Sequence, residues 1–344
     1  MSEPILEVED LTIQYKTSDG MVSAVSDASF TILENEYFGL VGESGSGKST
    51  IAKSIVGGLA KNGQITSGRI TYDGRDLVSM SDTEYNDTIR WKEISYIPQG
   101  SMSSLDPLQR LDKKVLEVAR THADISDEEA IEKFCDMLEV VGLSEDRLYE
   151  YPHQFSGGMK QRIIIALALY LEPSLIIADE PTTALDVIMQ DQIFKYLQDI
   201  KEQFDTSLLL ITHDISLVFE SCNSAAVLHA GQVAETGLVT SIYDAPQHPY
   251  TVMLTGAFPD FRYPEKELSI IGGNPPQMTG AVTQCTYASR CPLATDECWD
   301  AAPRLEEPAG ATDSDDARHR VSCFHTDKID QLHSREDNIT SHQQ

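Results

Sequence analysis

The sequence has no long hydrophobic run. Its longest apolar stretch, residues 163–171, is far shorter than the ~18 residues that a membrane-spanning helix needs. The first ten residues, MSEPILEVED, contain neither a basic segment nor an apolar one, which excludes a secretory signal. We therefore expect a soluble cytoplasmic chain, and its 344 residues suffice for one large domain with a small one, or for two ordinary domains.

Positive charge is also scarce. The chain has 26 Lys and Arg residues against 55 Asp and Glu, a formal net charge of −29. Neither nucleic acid nor an anionic lipid surface attracts such a chain, so both are excluded as general partners. The acidic residues are spread along the sequence, and in molar salt, where the Debye length is about 3 Å, their mutual repulsion is screened. This favours a protein of a salt-in halophile, such as a haloarchaeon, and equal stability in low and molar salt would contradict that hypothesis.

A phosphate-binding loop is the clearest motif. The stretch YFGLVGESGSGKST, residues 37–50, is an apolar strand that runs into the pattern G-x-x-x-x-G-K-S, with a helix expected from Ser49 to about Leu59. Glycines let successive N–H groups turn toward one anion, and the helix N-terminus adds its dipole, so an ordinary glycine-rich turn is disfavoured. The motif predicts nucleoside triphosphate binding, with Lys48 on the β- and γ-phosphates and the Ser49 hydroxyl on Mg²⁺. The predicted contact residues are Gly42, Ser44, Gly45, Ser46, Gly47, Lys48, Ser49 and Thr50.

Two further apolar stretches end in residues that suit hydrolysis. In LIIADEPTTALD, residues 175–186, a buried parallel strand is expected to end at Asp179, and ligands bind at such carboxyl ends. Asp179 is predicted to hold Mg²⁺ through water, and Glu180 to accept a proton from the attacking water. The stretch SLLLIT leads to His213, which we interpret as a γ-phosphate contact. Taken singly, a carboxylate or a histidine at a strand end is more often structural, but together with the phosphate loop the set indicates catalysis.

A second glycine-bearing helix start lies between these two stretches. FSGGM, residues 155–159, comes just before the apolar run at residues 163–171. Serine and glycine suit a plain helix cap, whereas N–H groups at a helix start also bind anions. The cap accounts for the start of the helix, but not for a second phosphate-type motif about 110 residues after the first.

In this order the motifs resemble the complete set of an ATP-binding-cassette (ABC) transporter ATPase. The set comprises the phosphate loop, Gln99 in YIPQ, FSGGMKQ, the strand ending in Asp179 and Glu180, the ALD that ends at Asp186, and His213. The resemblance implies an ATPase that uses ATP and Mg²⁺ and is competent in hydrolysis, because Glu180 and His213 are both intact. It also implies that Gln99 contacts Mg²⁺ or the attacking water.

The same resemblance implies that the two nucleotides of a dimer are shared between subunits. Ser156, Gly157 and Gly158 correspond to the signature loop, which binds the γ-phosphate held by the partner subunit. Asp186 corresponds to a residue at the dimer interface. Tyr15 stands where the family places an aromatic ring that stacks on adenine, although a tyrosine in a strand is also commonly a packing residue.

Two details resemble one branch of that family, the dipeptide, oligopeptide and nickel importers. Met159 stands in place of the usual glutamine after Ser-Gly-Gly, and His-Pro-Tyr-Thr occupies residues 248–251. The resemblance implies a head-to-tail dimer with an identical or different second ATPase. It implies two permease subunits at the cytoplasmic face of the membrane, docked at residues 100–110, and an extracytoplasmic binding protein for peptide or nickel. The alternative is a soluble ABC ATPase in DNA repair or translation, but the chain has neither two cassettes, nor a long coiled-coil insertion, nor basic patches.

The expected fold class is α/β, a P-loop NTPase. We predict a nucleotide-binding domain over residues 1–244, which begins with short antiparallel strands and a turn at Asp73-Gly74. A helical subdomain is expected at about residues 104–162, where residues 131–141 have an amphipathic pattern. A small cysteine-rich extension is expected at residues 245–326, followed by a disordered polar tail at residues 327–344.

Four of the six cysteines lie late in the chain, spaced C-x5-C-x6-C-x24-C. They are Cys285, Cys291, Cys298 and Cys323, called here the cysteine quartet, whereas Cys135 and Cys222 are interpreted as incidental. A cytoplasmic setting disfavours disulfides. Structural zinc favours closer C-x2–4-C pairs, whereas irregular, longer spacings suit a [4Fe–4S] cluster. Extensions of the peptide importers look similar, including the Cys-Pro at residues 291–292, so the cluster is our prediction and zinc is the alternative.

Overall fold

The structure, a computed structural model, describes residues 3–18, 20–100, 104–183, 187–257, 271–276, 279–309 and 318–332. Its strands, in chain order, are β1 (Pro4–Thr17), β2 (Gly20–Leu33), β3 (Tyr37–Val41), β4 (Gly63–Tyr72), β5 (Arg75–Asp76), β6 (Ile94–Ile97), β7 (Leu175–Asp179), β8 (Ser207–Thr212), β9 (Ser224–His229), β10 (Gln232–Leu238) and β11 (Arg320–Val321). Its helices are α1 (Lys48–Ile55), α2 (Asp82–Thr88), α3 (Leu111–His122), α4 (Asp127–Val140), α5 (Gly157–Leu169), α6 (Val187–Gln203), α7 (Ile215–Ser221), α8 (Val239–Asp244), α9 (Pro249–Gly256) and α10 (Asp296–Asp300).

The chain divides into two compact units, each built from several segments. The first unit comprises Met1–Ile5, Ile32–Tyr37 and Ser79–Ile211, and the second comprises Leu6–Thr31, Phe38–Val78 and Thr212–Gln344. This division does not test the domain boundary predicted after residue 244, which stays a prediction.

The first unit contains three parallel strands that carry the acidic motif. β7 pairs in parallel with β6 on one side and with β8 on the other, with Ala178 opposite both Ile97 and Leu210. Every residue of β7 and β8 is buried, which explains why both stretches are continuously apolar rather than alternating. The expected parallel strand ending at Asp179 is confirmed.

Helices of the first unit follow the predicted patterns. In α4 the buried residues Ala130, Phe134 and Leu138 recur every four positions, so one face of this helix packs and the other is solvated. The N-cap Ser126 accepts a hydrogen bond from the Glu129 N–H, and three acidic residues occupy the first turn, where the helix dipole favours them. In α5 residues 163–169 are all buried, as a helix that is apolar on every side requires.

The second unit contains an antiparallel sheet with the order β2-β1-β4-β5. Its β1 and β2 each have 14 residues, longer than the short strands expected from the sequence. Asp73 and Gly74 both have positive φ, 45° and 71°, between the paired residues Tyr72 and Arg75. This is a two-residue hairpin turn whose twist matches that of the strands, and the predicted turn is confirmed.

A second set of strands in this unit leads to the phosphate loop. β3 pairs in parallel with β9, β9 pairs antiparallel with β10, and β10 pairs antiparallel with β11. All five residues of β3 are buried, so the loop that follows starts from a strand end packed in the core.

The buried residue Glu235 ties the C-terminal part of the chain to β10. Its carboxylate accepts hydrogen bonds from the N–H groups of Gln247 and His248, at 2.8 and 2.9 Å, and lies 2.7 Å from His319 Nε2. Glu235 is fully buried, so these three partners replace the water that it would otherwise bind.

The described structure continues into the segment predicted to be a disordered tail. Ile329 and Leu332 are buried and pack on Val252 of α9. These two apolar side chains attach a short part of that stretch to α9, and the disordered tail itself stays a prediction. Residues 333–344 lie outside the described residues. Within the described part of the chain no helix is both long and apolar enough to cross a membrane.

Candidate nucleotide and catalytic sites

The phosphate loop joins β3 to α1 in the second unit. Gly45 and Gly47 have φ values of 81° and 105°, a region in which side chains are strained. A Cβ on Gly47 would lie 2.4 Å from the Ala24 carbonyl oxygen, and one on Gly42 would lie 2.1 Å from the Leu228 carbonyl oxygen. The glycines of the motif are therefore required by the backbone path and by close neighbours.

Lys48 is buried within this loop, with 4% of its surface exposed. Its ammonium group donates hydrogen bonds to the carbonyl oxygens of Gly42, at 2.7 Å, and Glu43, at 2.9 Å. Ser46 contributes a third contact at 3.4 Å. These contacts hold a positive charge against the backbone turn that the motif assigns to phosphate.

Helix α1 begins at Lys48 and has Gly47 as its N-cap, a residue with no side chain to cap the helix. It ends at Ile55 rather than near Leu59 as expected. Gly57 adopts φ 62°, and the Gly58 N–H donates to the Lys53 carbonyl at 2.7 Å. This left-handed glycine closes the helix one turn earlier than the apolar pattern suggested.

Tyr15 and His213 belong to the same unit as the loop. Tyr15 lies on β1 opposite Gly63, and a Cβ at Gly63 would come within 2.6 Å of its ring. The ring therefore lies over glycine backbone and is partly exposed, as a stacking surface requires. His213 is exposed directly after β8, and the next residue, Asp214, caps α7 through a hydrogen bond from the Ser216 N–H.

The acidic motif forms a hydrogen-bonded group in the first unit. Asp179, fully buried at the end of β7, accepts a hydrogen bond from the Tyr96 hydroxyl at 3.1 Å. Burial and the charge on Asp179 raise the pKa of Tyr96, so the phenol stays neutral and acts as donor. Sequence analysis missed Tyr96, although its position three residues before Gln99 on a strand was a usable signal.

Glu180 follows Asp179 and is joined to Gln99. The Gln99 amide donates to Glu180 Oε2 at 2.8 Å, and the Thr183 hydroxyl donates to the same oxygen at 2.9 Å. Glu180 has φ 49°, an uncommon conformation for a residue with a side chain, and its N–H donates to the Ile211 carbonyl at 2.8 Å. The backbone and two side chains thus hold this carboxylate in one orientation.

The glycine-bearing start of α5 is also in the first unit. Ser156 is exposed and caps the helix by accepting from the Met159 N–H at 3.3 Å, and Gly157 is exposed beside it. Ser156 therefore has the helix-cap role that the sequence suggested for it. Gly158, the next residue, is buried, so the part of the helix start that an anion can reach is at Ser156 and Gly157.

Comparison with known proteins identifies relatives of this chain. Residues 25–183 match the family model described as "ABC transporter", and residues 234–298 match "Oligopeptide/dipeptide transporter, C-terminal region". The chain is 42% identical to the oligopeptide transport ATP-binding protein OppD of Salmonella typhimurium, over 87% of this chain and 89% of that protein. It is 40% identical to the dipeptide transport ATP-binding protein DppD of Bacillus subtilis, over 95% and 96%.

The chain belongs to the family of ABC-transporter ATP-binding proteins of oligopeptide and dipeptide transport. As an ABC ATPase it uses ATP, with Mg²⁺, and the expected fold is confirmed. The solved ATP-binding cassette MJ0796, in a dimeric post-hydrolysis state with ADP and Pi, matches with TM-score 0.60 and 28% identity over 68% of this chain and 98% of the cassette. CbiO1 from Clostridium perfringens, part of the ABC transporter complex cbiONQ, matches with TM-score 0.59 and 25% identity over 73% and 93%.

The structure brings some family motifs of this ATPase together and leaves one unobserved. Gln99 and Glu180, 81 residues apart, are in contact. Asp186 lies outside the described residues, as do residues 101–103 of the predicted docking segment. The roles assigned to individual residues therefore enter below as proposals.

The cysteine quartet of the ATPase lies in the second unit. The Cys285 N–H donates to the Cys298 carbonyl at 2.9 Å, and the Cys323 sulfur accepts from the His325 N–H at 3.3 Å. Burial, together with a smaller effect of charge on other quartet members, raises the pKa of Cys323 to about 12 and that of Cys291 to about 11. Within the described residues no three His, Cys, Asp or Glu side chains form a group that would hold one metal ion. The charge coupling among the four thiols shows that they belong to one region of the second unit.

Proposed function

We propose that this ATPase powers the import of peptides through a membrane transporter. The observation that carries the proposal is the Glu180–Gln99 pair in a chain that also has a complete phosphate loop. The relatives described above are named for oligopeptide or dipeptide transport, so we take peptides rather than nickel as cargo. They do not favour the alternative role in DNA repair or translation.

We assign nucleotide binding to the residues that the motif predicted. Lys48 and the loop N–H groups hold the phosphates, and Tyr15 stacks on adenine. Ser49, Asp179 and Gln99 offer a hydroxyl, a carboxylate and an amide oxygen, which are the donors that Mg²⁺ prefers. The Tyr96 phenol that donates to Asp179 is neutral, so this hydrogen bond does not offset the charge of the carboxylate. When bound, the ion offsets negative charge on the phosphates.

Glu180 is the proposed general base. A carboxylate accepts a proton from water as the water attacks the γ-phosphate, and it does so only if it points at that water. Hydrogen bonds from Gln99 and Thr183 to one oxygen fix its direction. His213 is the proposed contact to the γ-phosphate.

The signature residues act on the nucleotide of a second ATPase subunit. Ser156 and Gly157 are exposed at the N-terminus of α5, followed by the buried Gly158, and at such a helix start N–H groups and the helix dipole favour an anion. We place Asp186 at the same head-to-tail interface. ATP between the two subunits closes the dimer, and release of the products reopens it.

A groove in the first unit is the proposed docking surface for the two permease subunits, at the cytoplasmic face of the membrane. It has a volume of about 950 Å³. Its lining residues include Leu108, with 86% of its surface exposed, and Tyr151, with 37% exposed. Arg110 and Arg120 flank them and pair with Asp112 and Asp127. An exposed leucine between an aromatic ring and paired charges is typical of the centre of an interface.

Leu108→Asp should prevent assembly with the permeases but leave basal ATP hydrolysis unchanged, because a buried interface does not tolerate an unpaired carboxylate. Co-purification of the ATPase with the permease subunits of its transporter measures this. The same change at Val78, an exposed apolar residue outside the groove, is the matched control. Full assembly of the Leu108 variant would contradict the docking proposal, and absence of peptide uptake by wild-type complexes would contradict peptide import itself.

We propose a [4Fe–4S] cluster as the occupant of the cysteine quartet. The proposal is supported by the irregular spacing of the four cysteines, which suits a cuboidal cluster better than zinc, and by the charge coupling among their thiols. When bound, the cluster supplies four covalent links among chain segments that have little core of their own. The cysteines must lose their protons to bind it, which their raised pKa values oppose until the metal compensates.

Anaerobically purified protein should contain about four iron atoms per chain, and Cys291→Ser should lose most of them. Cys135→Ser, which changes a cysteine outside the quartet, should keep its iron. One zinc atom per chain without iron would assign zinc instead, and neither metal would refute the cluster. Iron and zinc analysis of the same samples decides among these results.

A further inference from the structure

An ion pair joins the C-terminal part of the chain to the phosphate loop. Arg290 Nη1 and Nη2 donate to the two carboxylate oxygens of Glu43, at 2.7 and 2.8 Å. The Arg290 side chain is 5% exposed and that of Glu43 is 24% exposed. A two-point pair of this kind fixes direction as well as distance, and it is stronger than a pair on an open surface.

Glu43 is part of the phosphate loop itself. It follows Gly42 directly, and its carbonyl oxygen accepts from Lys48, at 2.9 Å, and from the Ser46 N–H, at 3.2 Å. Its own N–H donates to the hydroxyl of Tyr250, at 3.1 Å. The backbone of Glu43 therefore holds the catalytic lysine, and its side chain is held by Arg290.

Arg290 is in turn fixed on the side away from the loop. Its Nε donates to the Gly272 carbonyl at 2.8 Å, and its Nη1 lies 3.2 Å from His229 Nε2. Burial and the charge on Arg290 lower the pKa of His229 to about 3, so the imidazole is neutral and Nε2 accepts. His229 Nδ1 then donates to Thr286, beside the first cysteine of the quartet, at 3.1 Å.

The same region shares a core with the strand that precedes the loop. Val41, the last residue of β3, belongs to one buried cluster with Tyr250 and Tyr287, and Cys285 and Cys291 pack against that cluster. Arg290 is the residue just before Cys291. Order in the cysteine region is thereby linked to the loop through packing and through one ion pair.

We propose that Arg290 is a positioning residue for the phosphate loop, and that it makes ATP affinity depend on an ordered cysteine quartet. The proposal rests on the proposed ATPase function. Arg290 has two effects, since it holds the first turn of the loop and pairs with a carboxylate of the loop that the motif assigns to phosphate. Without Arg290, the charge of Glu43 has no counter-ion and repels the nucleotide.

Arg290→Gln should raise the Kd and KM for ATP about tenfold, with kcat changed by less than about twofold, because the loss lies in binding rather than in chemistry. Adding Glu43→Gln should restore most of the affinity, since it removes the unpaired charge. Arg304→Gln, which changes an exposed arginine of the same C-terminal region, should have no effect. ATP titrations and steady-state hydrolysis by the full chain provide these values.

Cys291→Ser tests the link to the quartet by the same titrations. It should raise the ATP Kd in the wild-type background, but raise it little further in the Arg290→Gln variant, because both changes release the same contact. Unchanged ATP affinity in Arg290→Gln, even with lower thermal stability, would overturn the proposal, and so would a Glu43→Gln double variant that is no better. Failure of the proposed ATPase function would look different, because then the wild type itself would not bind ATP.

Discussion

Glu180→Gln should abolish ATP turnover and leave ATP binding intact. General bases contribute on the order of 10²–10⁴-fold to rate, so we expect kcat to fall at least ~10²-fold. Glutamine keeps the shape of the side chain, and its amide oxygen still accepts the hydrogen bonds from Gln99 and Thr183. Binding should not weaken, because the change removes a negative charge from a triphosphate site. Single-turnover hydrolysis and nucleotide titration of the same sample separate the two effects.

Glu172→Gln is the matched control for that experiment. It makes the same chemical change in the same unit, at an exposed carboxylate that pairs only loosely with Lys133, at 3.8 Å. Its hydrolysis should equal that of the wild type. Normal turnover by the Glu180 variant would show that another group accepts the proton.

Lys48→Met should raise the ATP Kd about 10²-fold, which corresponds to about 2.7 kcal/mol of binding free energy. The ammonium group is the one cation that the loop motif itself supplies for the phosphates, and each hydrogen bond to a charged group contributes about 1.5–3 kcal/mol. Methionine keeps the apolar stem of this buried side chain, so the loss is confined to the charge. Titration with a fluorescent ATP analogue measures the affinity.

Lys53 provides the control on the same helix. It lies in the last turn of α1 and is exposed, so Lys53→Met removes an equal charge away from the loop. A thermal melt of both variants shows whether the fold is kept. An Lys48 variant that binds ATP within about threefold of the wild type would contradict the role of this lysine.

Local motifs were predictable because their residues are neighbours in the chain. In the phosphate loop, strand, glycines, lysine and helix follow one another, and the positive φ angles demand glycine whatever the surroundings. The turn at Asp73-Gly74 was predictable for the same reason. The predicted end of α1 was wrong because Gly57 closes the helix through its backbone conformation, which an apolar pattern does not reveal.

The lengths of the strands and the packing of the C-terminal stretch were less predictable. β1 and β2 extend over 14 residues each because strand length depends on the partners that a strand finds. Ile329 and Leu332 are buried because Val252, about 80 residues earlier in the chain, offers a place to pack. The expected dependence on high salt stays a prediction.

By itself the sequence determined the family and the nucleotide loop and predicted Glu180 as the general base, since each is encoded in a short run of residues. Only the tertiary structure decided what holds those residues in place. Gln99 meets Glu180 across 81 positions, and Arg290 meets Glu43 across 247. A hydrogen bond or ion pair forms between whichever groups the folded backbone brings within about 3 Å, and no local pattern records that distance.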